Sequence, residues 1–117
     1  MSFGRLLPMF AAALVALVPA APIPAARADE PAKIVLTLKD HRFSPAEAAA
    51  PASKPIVIEL MNQDGTPAEF ESKSMRFEKA VPGGKSITVN VHPLKPGRYP
   101  FFDEYNEETA QGVLVVQ

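Results

Sequence analysis

Apolar side chains recur at every second position through much of the chain beyond residue 32. Ile34, Leu36 and Leu38 share one face of the segment 33–39, and Ile56, Ile58 and Leu60 share one face of 56–62. Ile87, Val89 and Val91 alternate with Thr88, Asn90 and His92. A period of two marks a strand with one buried face. Turn residues separate these runs: Asp40 to Pro45, Gln63 to Pro67, Pro82-Gly83-Gly84 and Pro96-Gly97. Ala46 to Ala50, held between Pro45 and Pro51, reads as a helical turn or an edge strand. Ala68 to Met75 reads as polar and irregular, with Phe70 as its one large apolar anchor. Arg76 to Val81 alternates weakly, Arg98 to Phe102 is a strand, Asp103 to Gln111 is a loop, and 112–116 is the closing strand. The pattern predicts an all-β chain of six to eight short strands folded as a β-sandwich. Its core is expected chiefly from Ile34, Leu36, Ile56, Ile58, Leu60, Ile87, Val89, Val91, Phe101, Leu114 and Val116.

The first 28 residues break this pattern. They hold no acidic side chain, begin with Arg5, run apolar from Leu6 to Val18 and end Ala26-Arg27-Ala28. That is the order of a signal peptide with a small-x-small cleavage site. The apolar run is shorter than the roughly 20 residues that span a bilayer. The expectation is a signal peptide over 1–28, a domain over 29–117, a periplasmic location and no membrane insertion after processing. Cleavage after Ala28 leaves 89 residues (117 minus 28) and a net charge of −3 (10 basic against 13 acidic).

Composition then removes several chemistries. No Cys is present, which excludes disulfides, thiolate metal sites and a Cys nucleophile. No basic excess favours nucleic acid. No Gly-x-Ser-x-Gly elbow frames a serine, no EF-hand spacing occurs, and Pro82-Gly83-Gly84 is a plain turn.

Two polar segments carry the candidate chemistry. The first holds Glu69, Glu71, Met75 and Glu78; the second holds Asp103, Glu104, Glu107 and Glu108 around Tyr105 and Asn106. Clustered carboxylates repel unless water screens them or a cation neutralises them. They read either as a solvated acidic surface or as an oxygen-rich site for Ca²⁺, Mn²⁺ or iron, and a nearby Met or His would suit copper. Met75 reads as a soft ligand or as an apolar plug beneath its loop. His41 reads as a turn residue or a peripheral ligand, and His92 as a surface residue.

The run Leu60-Met61-Asn62 to Glu69-Phe70 resembles the first ligand loop of cupredoxins, and Pro96 to Val116 resembles their carboxy-terminal hairpin. Glu69 stands where that pattern has its first His, Asp103 where it has Cys, and Asn106 where it has the second His. Lacking the thiolate, this cannot be a type 1 copper centre. A closer resemblance is to the small EfeO-type cupredoxin-like domains of the periplasm. It rests on Asp40-His41-Arg42-Phe43-Ser44-Pro45, Glu69-Phe70-Glu71-Ser72, Glu78-Lys79, Val81-Pro82-Gly83-Gly84, and Phe101-Phe102 to Gly112. It implies a Greek-key β-sandwich of cupredoxin type and an accessory role in ferrous iron uptake. It also implies an iron or copper ion as ligand and an iron permease or a periplasmic iron-binding protein as partner. The expected metal residues are Glu69, Met75 and Asp103, with Glu71, Glu104 and Glu107 nearby. Two other functions fit the same resemblance: a metal-free interaction module in such a system, and a subunit that oxidises Fe²⁺.

Overall fold

The chain folds on a tight two-residue turn that the sequence marks with Asp40 and His41. Both take left-handed backbone angles (φ 51° and 54°), and the strands on either side pair Lys39 with Arg42. Positive φ at both central residues is the twist a hairpin needs. The Asp64 carboxylate fastens the turn from 24 residues away, accepting from the Asp40 N–H at 2.7 Å and the His41 N–H at 3.0 Å.

The structure is a computed structural model, and it describes Gly4, residues 13–16 and residues 30–117. Apart from those first five residues, the expected signal segment and its cleavage site lie outside the described residues. Among the described residues no helix is long and apolar enough to cross a membrane.

Among the described residues nine strands form in chain order: β1 (Ala32–Lys39), β2 (Arg42–Ser44), β3 (Glu47–Ala50), β4 (Ile56–Asn62), β5 (Ala68–Ser72), β6 (Phe77–Val81), β7 (Ser86–Val91), β8 (Gly97–Asp103) and β9 (Gln111–Val116). A 3₁₀ turn, Glu104–Asn106, follows β8. The strands make two sheets, one in the order β2-β1-β4-β7 and the other β3-β9-β8-β5-β6. Within them β1 runs parallel to β4 and β3 parallel to β9, and the remaining pairs are antiparallel. The architecture is the expected all-β sandwich.

Alternation places the core between the sheets, because successive side chains of a strand face opposite ways. Ile58 and Leu60 of β4 are fully buried, as are Phe70 of β5 and Leu114 of β9. Three phenylalanines from different strands meet there. Phe43 and Phe101 pack edge to face with ring centroids 5.0 Å apart, and Phe70 lies 5.5 Å from Phe101. Edge-to-face packing aligns the positive ring edge with the negative face of its neighbour. Gly112 makes room for Phe101: a Cβ there would run into the ring. The expected core residues all pack here, with Ile34 and Ile87 only half-buried at its border.

Several expectations need correction. Nine strands form among the described residues rather than six to eight, because Arg42–Ser44 is a short strand inside the expected Asp40–Pro45 turn and Ala68–Ser72 is a strand rather than an irregular loop, while Glu47–Ala50 takes the edge-strand alternative. Ala68–Ser72 looks polar only because its outward residues are Glu69 and Glu71, while Ala68, Phe70 and Ser72 face inward. The segment Asp103–Gln111 is not wholly loop, since it holds the last residue of β8, the 3₁₀ turn and the first residue of β9.

Candidate metal centre

The antiparallel β5–β6 hairpin sets Glu71 directly opposite Glu78, and β5–β8 pairing sets Phe70 opposite Asp103. Phe70 and Ser72 face the core, so Glu69 and Glu71 project from the outer face of the five-stranded sheet. Glu104 opens the 3₁₀ turn just past β8. These constraints converge: Glu69, Glu71, Glu78 and Glu104 each offer a carboxylate oxygen, and the four oxygens lie within 4.8 Å of one another. Glu69 and Glu71 are half-buried and the other two are exposed.

Like charges directly opposite in a sheet, as Glu71 and Glu78 are, destabilise it. The Glu104 carboxyl, in the adjoining turn, has its pKa raised above 4.5, first through hydrogen bonding to Glu69, then through the charge of Glu69, desolvation and the charge of Glu71. Tyr105 is drawn in as well. Its phenol is raised above 10.0, first by a hydrogen bond to Glu69 and then by that carboxylate's charge. A cation among these oxygens would remove the repulsion.

Asp103 sits beside this group but its carboxylate is already used. The residue is only 1% exposed. Oδ1 accepts from the backbone N–H of Glu69 at 2.9 Å and of Tyr105 at 3.1 Å, and Oδ2 accepts from Asn106 Nδ2 at 3.1 Å. Burial is tolerated because donors satisfy the charge. Asp103 thus holds the 3₁₀ turn against β5. Met75 is 2% exposed and belongs to the hydrophobic core, with its N–H donating to Ser72 Oγ at 3.2 Å. Its position matches the apolar-plug reading. Glu107 is exposed and borders a depression with Phe102 and Gln111, outside the group of four. Of the six expected metal residues, the structure therefore brings Glu69, Glu71 and Glu104 together and leaves Met75, Asp103 and Glu107 outside the group. Glu78 joins in their place. Its clue in the sequence is the hairpin spacing, in which Ser72 pairs with Phe77 across a four-residue connection and so sets Glu71 against Glu78.

The residues at the cupredoxin-like copper positions do not fit a blue-copper ion. Asp103 accepts hydrogen bonds where the thiolate would be, and Asn106 is a donor to it rather than an imidazole. The carboxylate group of four is a hard, all-oxygen set, suited to different cations.

Near the start of β5, Asn62 is fully buried and its side chain ties neighbouring loops together. Its Nδ2 donates toward Thr66 O at 2.9 Å and toward Val81 O and Pro82 O at 3.3 Å, and its Oδ1 accepts from the Asp64 N–H at 3.0 Å. His41, in its turn, is half-buried beside the Glu104–Thr109 loop and belongs to no group of convergent ligands among the described residues.

Comparison with known proteins places the fold. An uncharacterized protein of Rickettsia prowazekii (strain Madrid E) is 39% identical over 84 residues, covering 72% of this chain and 67% of that protein. Auracyanin A, a blue copper protein from Chloroflexus aurantiacus, superposes with a TM-score of 0.64 at 13% identity, covering 75% of this chain and all of that one. The metal binding domain of the Cu(I)-exporting P-type ATPase CopA of Streptococcus pneumoniae D39, solved with Cu(I), gives 0.62 at 15% identity, covering 73% of this chain and 84% of that one. These likenesses concern the fold. The family model of the cupredoxin-like domain runs over residues 8–116. With two stacked sheets of the same architecture and a sequence matched over nearly its whole length, the chain belongs to the cupredoxin-like domain family.

Proposed function

We propose that this protein is an exported, periplasmic accessory of a ferrous iron uptake system that binds a divalent cation through Glu69, Glu71, Glu78 and Glu104. The observation that carries the reading is the convergence of four carboxylate oxygens within 4.8 Å on two paired strands and an adjoining turn. Strands hold such a group more firmly than loops do. An all-oxygen set favours a hard or borderline ion such as Fe²⁺ over Cu(I), which prefers thiolate and thioether. The copper bound by structural relatives supports a metal-handling role for the family, and the donor set here turns that role toward iron, with Cu²⁺ as the competing ion. The ion is cargo in this reading, handed to or taken from a permease or a periplasmic iron-binding protein. An oxidase role would need a redox metal in a defined shell with histidine or thiolate, and the group supplies neither.

Isothermal titration of the full chain with Fe²⁺ (under anaerobic conditions), Cu²⁺ and Cu⁺ tests the reading. Tight binding of Fe²⁺ that disappears in Glu71→Gln/Glu78→Gln, with an unchanged circular dichroism spectrum, is expected. Failure of all three ions to bind below about millimolar, an affinity of roughly −4 kcal/mol, would overturn it and leave the metal-free interaction module.

A further inference from the structure

The outer face of the five-stranded sheet is not uniformly polar. Two of its three inner strands, the adjacent β8 and β9, turn Pro100, Phe102, Val113 and Val115 outward, since Phe101, Leu114 and Val116 between them are buried. Pairing sets Pro100 opposite Val113 and Phe102 opposite Gln111, so the four apolar side chains form one strip. Phe102, Val113 and Val115 are half-buried and Pro100 is exposed. A solvated sheet face ordinarily alternates to polar residues, and a contiguous apolar patch rimmed by polar groups marks an interaction site.

The geometry around the strip selects its occupant. Phe102 is paired with Glu71, so the strip runs directly into the carboxylate group of Glu69, Glu71, Glu78 and Glu104. On its other flank, Glu107 shares a depression of about 300 Å³ with Pro100 and Phe102. Lys73 shares a second depression of about 220 Å³ with Ser74, Pro100 and Phe102, and Arg98 is drawn toward Glu47 at 3.6 Å. Carboxylates, with Glu71 paired to Phe102 and Glu107 beside it, thus outnumber the one lysine at the Phe102 end. The β6 edge of the same sheet is guarded against strand addition: Lys79 occupies an inward position between Phe77 and Val81, and an inward charge at an edge blocks pairing.

We infer that this strip is a docking surface for a protein segment in which apolar side chains alternate with lysine or arginine, laid across the sheet face with its cations toward Glu71 and Glu107. Apolar contact supplies affinity, and charge supplies register and rate of encounter. The inference goes beyond the cation reading and does not need it, so it is tested in a chelator.

The test is a titration of the isotopically labelled full chain by two-dimensional nitrogen–proton NMR. The probes are three synthetic peptides, of alternating leucine and lysine, serine and lysine, and leucine and glutamate. The leucine–lysine peptide is expected to shift the amides of Phe102, Val113 and Val115 saturably, at least tenfold more tightly than the serine–lysine peptide, with no effect from leucine–glutamate. Phe102→Ser and, separately, Val113→Thr should each weaken that binding at least fivefold while spectral dispersion shows an intact fold. Equal binding of both lysine peptides, shifts centred on the four-stranded sheet, or a concentration-dependent dimer that buries the strip in the absence of peptide would overturn the inference. So would affinity unchanged in both variants.

Discussion

Asp103 and Glu69 are joined across 34 residues by a single half-buried hydrogen bond, the Glu69 N–H donating to Asp103 Oδ1 at 2.9 Å. The same carboxylate caps the 3₁₀ turn through Tyr105 N–H and Asn106 Nδ2. One side chain therefore positions both the strand that bears Glu69 and Glu71 and the turn that bears Glu104.

Asp103→Ala would leave those donors without a partner, at about 1–3 kcal/mol for each one that stays buried. A lowered urea midpoint is expected. Asp103→Asn keeps an acceptor for the two backbone N–H groups and should lose clearly less. Equal midpoints for Asp103→Ala and wild type would place Asp103 outside the structural role given to it.

Ile58 is fully buried in β4 between Ile34 of β1 and Val89 of β7. Ile58→Ala removes a large side chain from a filled core and should cost about 2–5 kcal/mol in equilibrium unfolding. The same measurement on Val35→Ala, where the side chain is 55% exposed, should show a much smaller change.

The raised Glu104 carboxyl predicts a pH effect of definite sign. Because its folded pKa lies above 4.5, the native state holds this proton more tightly than the unfolded chain does. The contribution is fully present below the unfolded value and is lost as pH rises through the folded one. Stability attributable to this group should therefore fall as pH rises from the ordinary glutamate range toward neutrality. Carbon-detected NMR should show Glu104 titrating above 4.5 and moving down in Glu69→Gln. A cation in the group would likewise lower it and release protons on binding. An unmoved midpoint in Glu69→Gln would remove Glu69 as the cause.

Tyr105 offers an independent reading of the same neighbour. The chain has two tyrosines, so Tyr99→Phe leaves a single phenol. Its ultraviolet titration should give a midpoint above 10.0, and adding Glu69→Gln should bring it down, since the hydrogen bond and charge of Glu69 are the leading causes.

Periodicity made the sandwich legible where alternate residues are large and apolar. Ile56, Ile58 and Leu60 mark β4 without any knowledge of its partners. It failed at β5, where Phe70 is the only large apolar residue among three inward positions. That strand is specified by its pairing with β6 and β8, and pairing is non-local. The site shared this limit. Clustered glutamates were visible in the sequence, but the choice among them depends on register: a one-residue slip of β6 would send Glu78 to the opposite face. Met75 looked like part of a polar loop, yet the turn after β5, with Arg76 at φ 61°, folds it back into the core. The absence of cysteine set a thiolate copper centre aside, and the resemblance to cupredoxins named the right fold. It pointed to Asp103 as a ligand because it compares positions and carries no record of which lone pairs are already occupied.

The order of the five-stranded sheet also sets a timetable. β9 is the last strand in sequence, but it lies inside the sheet, between β3 and β8. A nascent chain that has not delivered residues 111–116 has a gap there, and β3, which pairs only with β9, has nothing to join. Leu114 and Val116 are also missing from the core at that stage. The domain must therefore close in one late, cooperative step dominated by contacts far apart in sequence, and such topologies fold slowly. Until that step β8 presents an unpaired edge where β9 will lie, so the incomplete sheet is the state most open to wrong strand pairing.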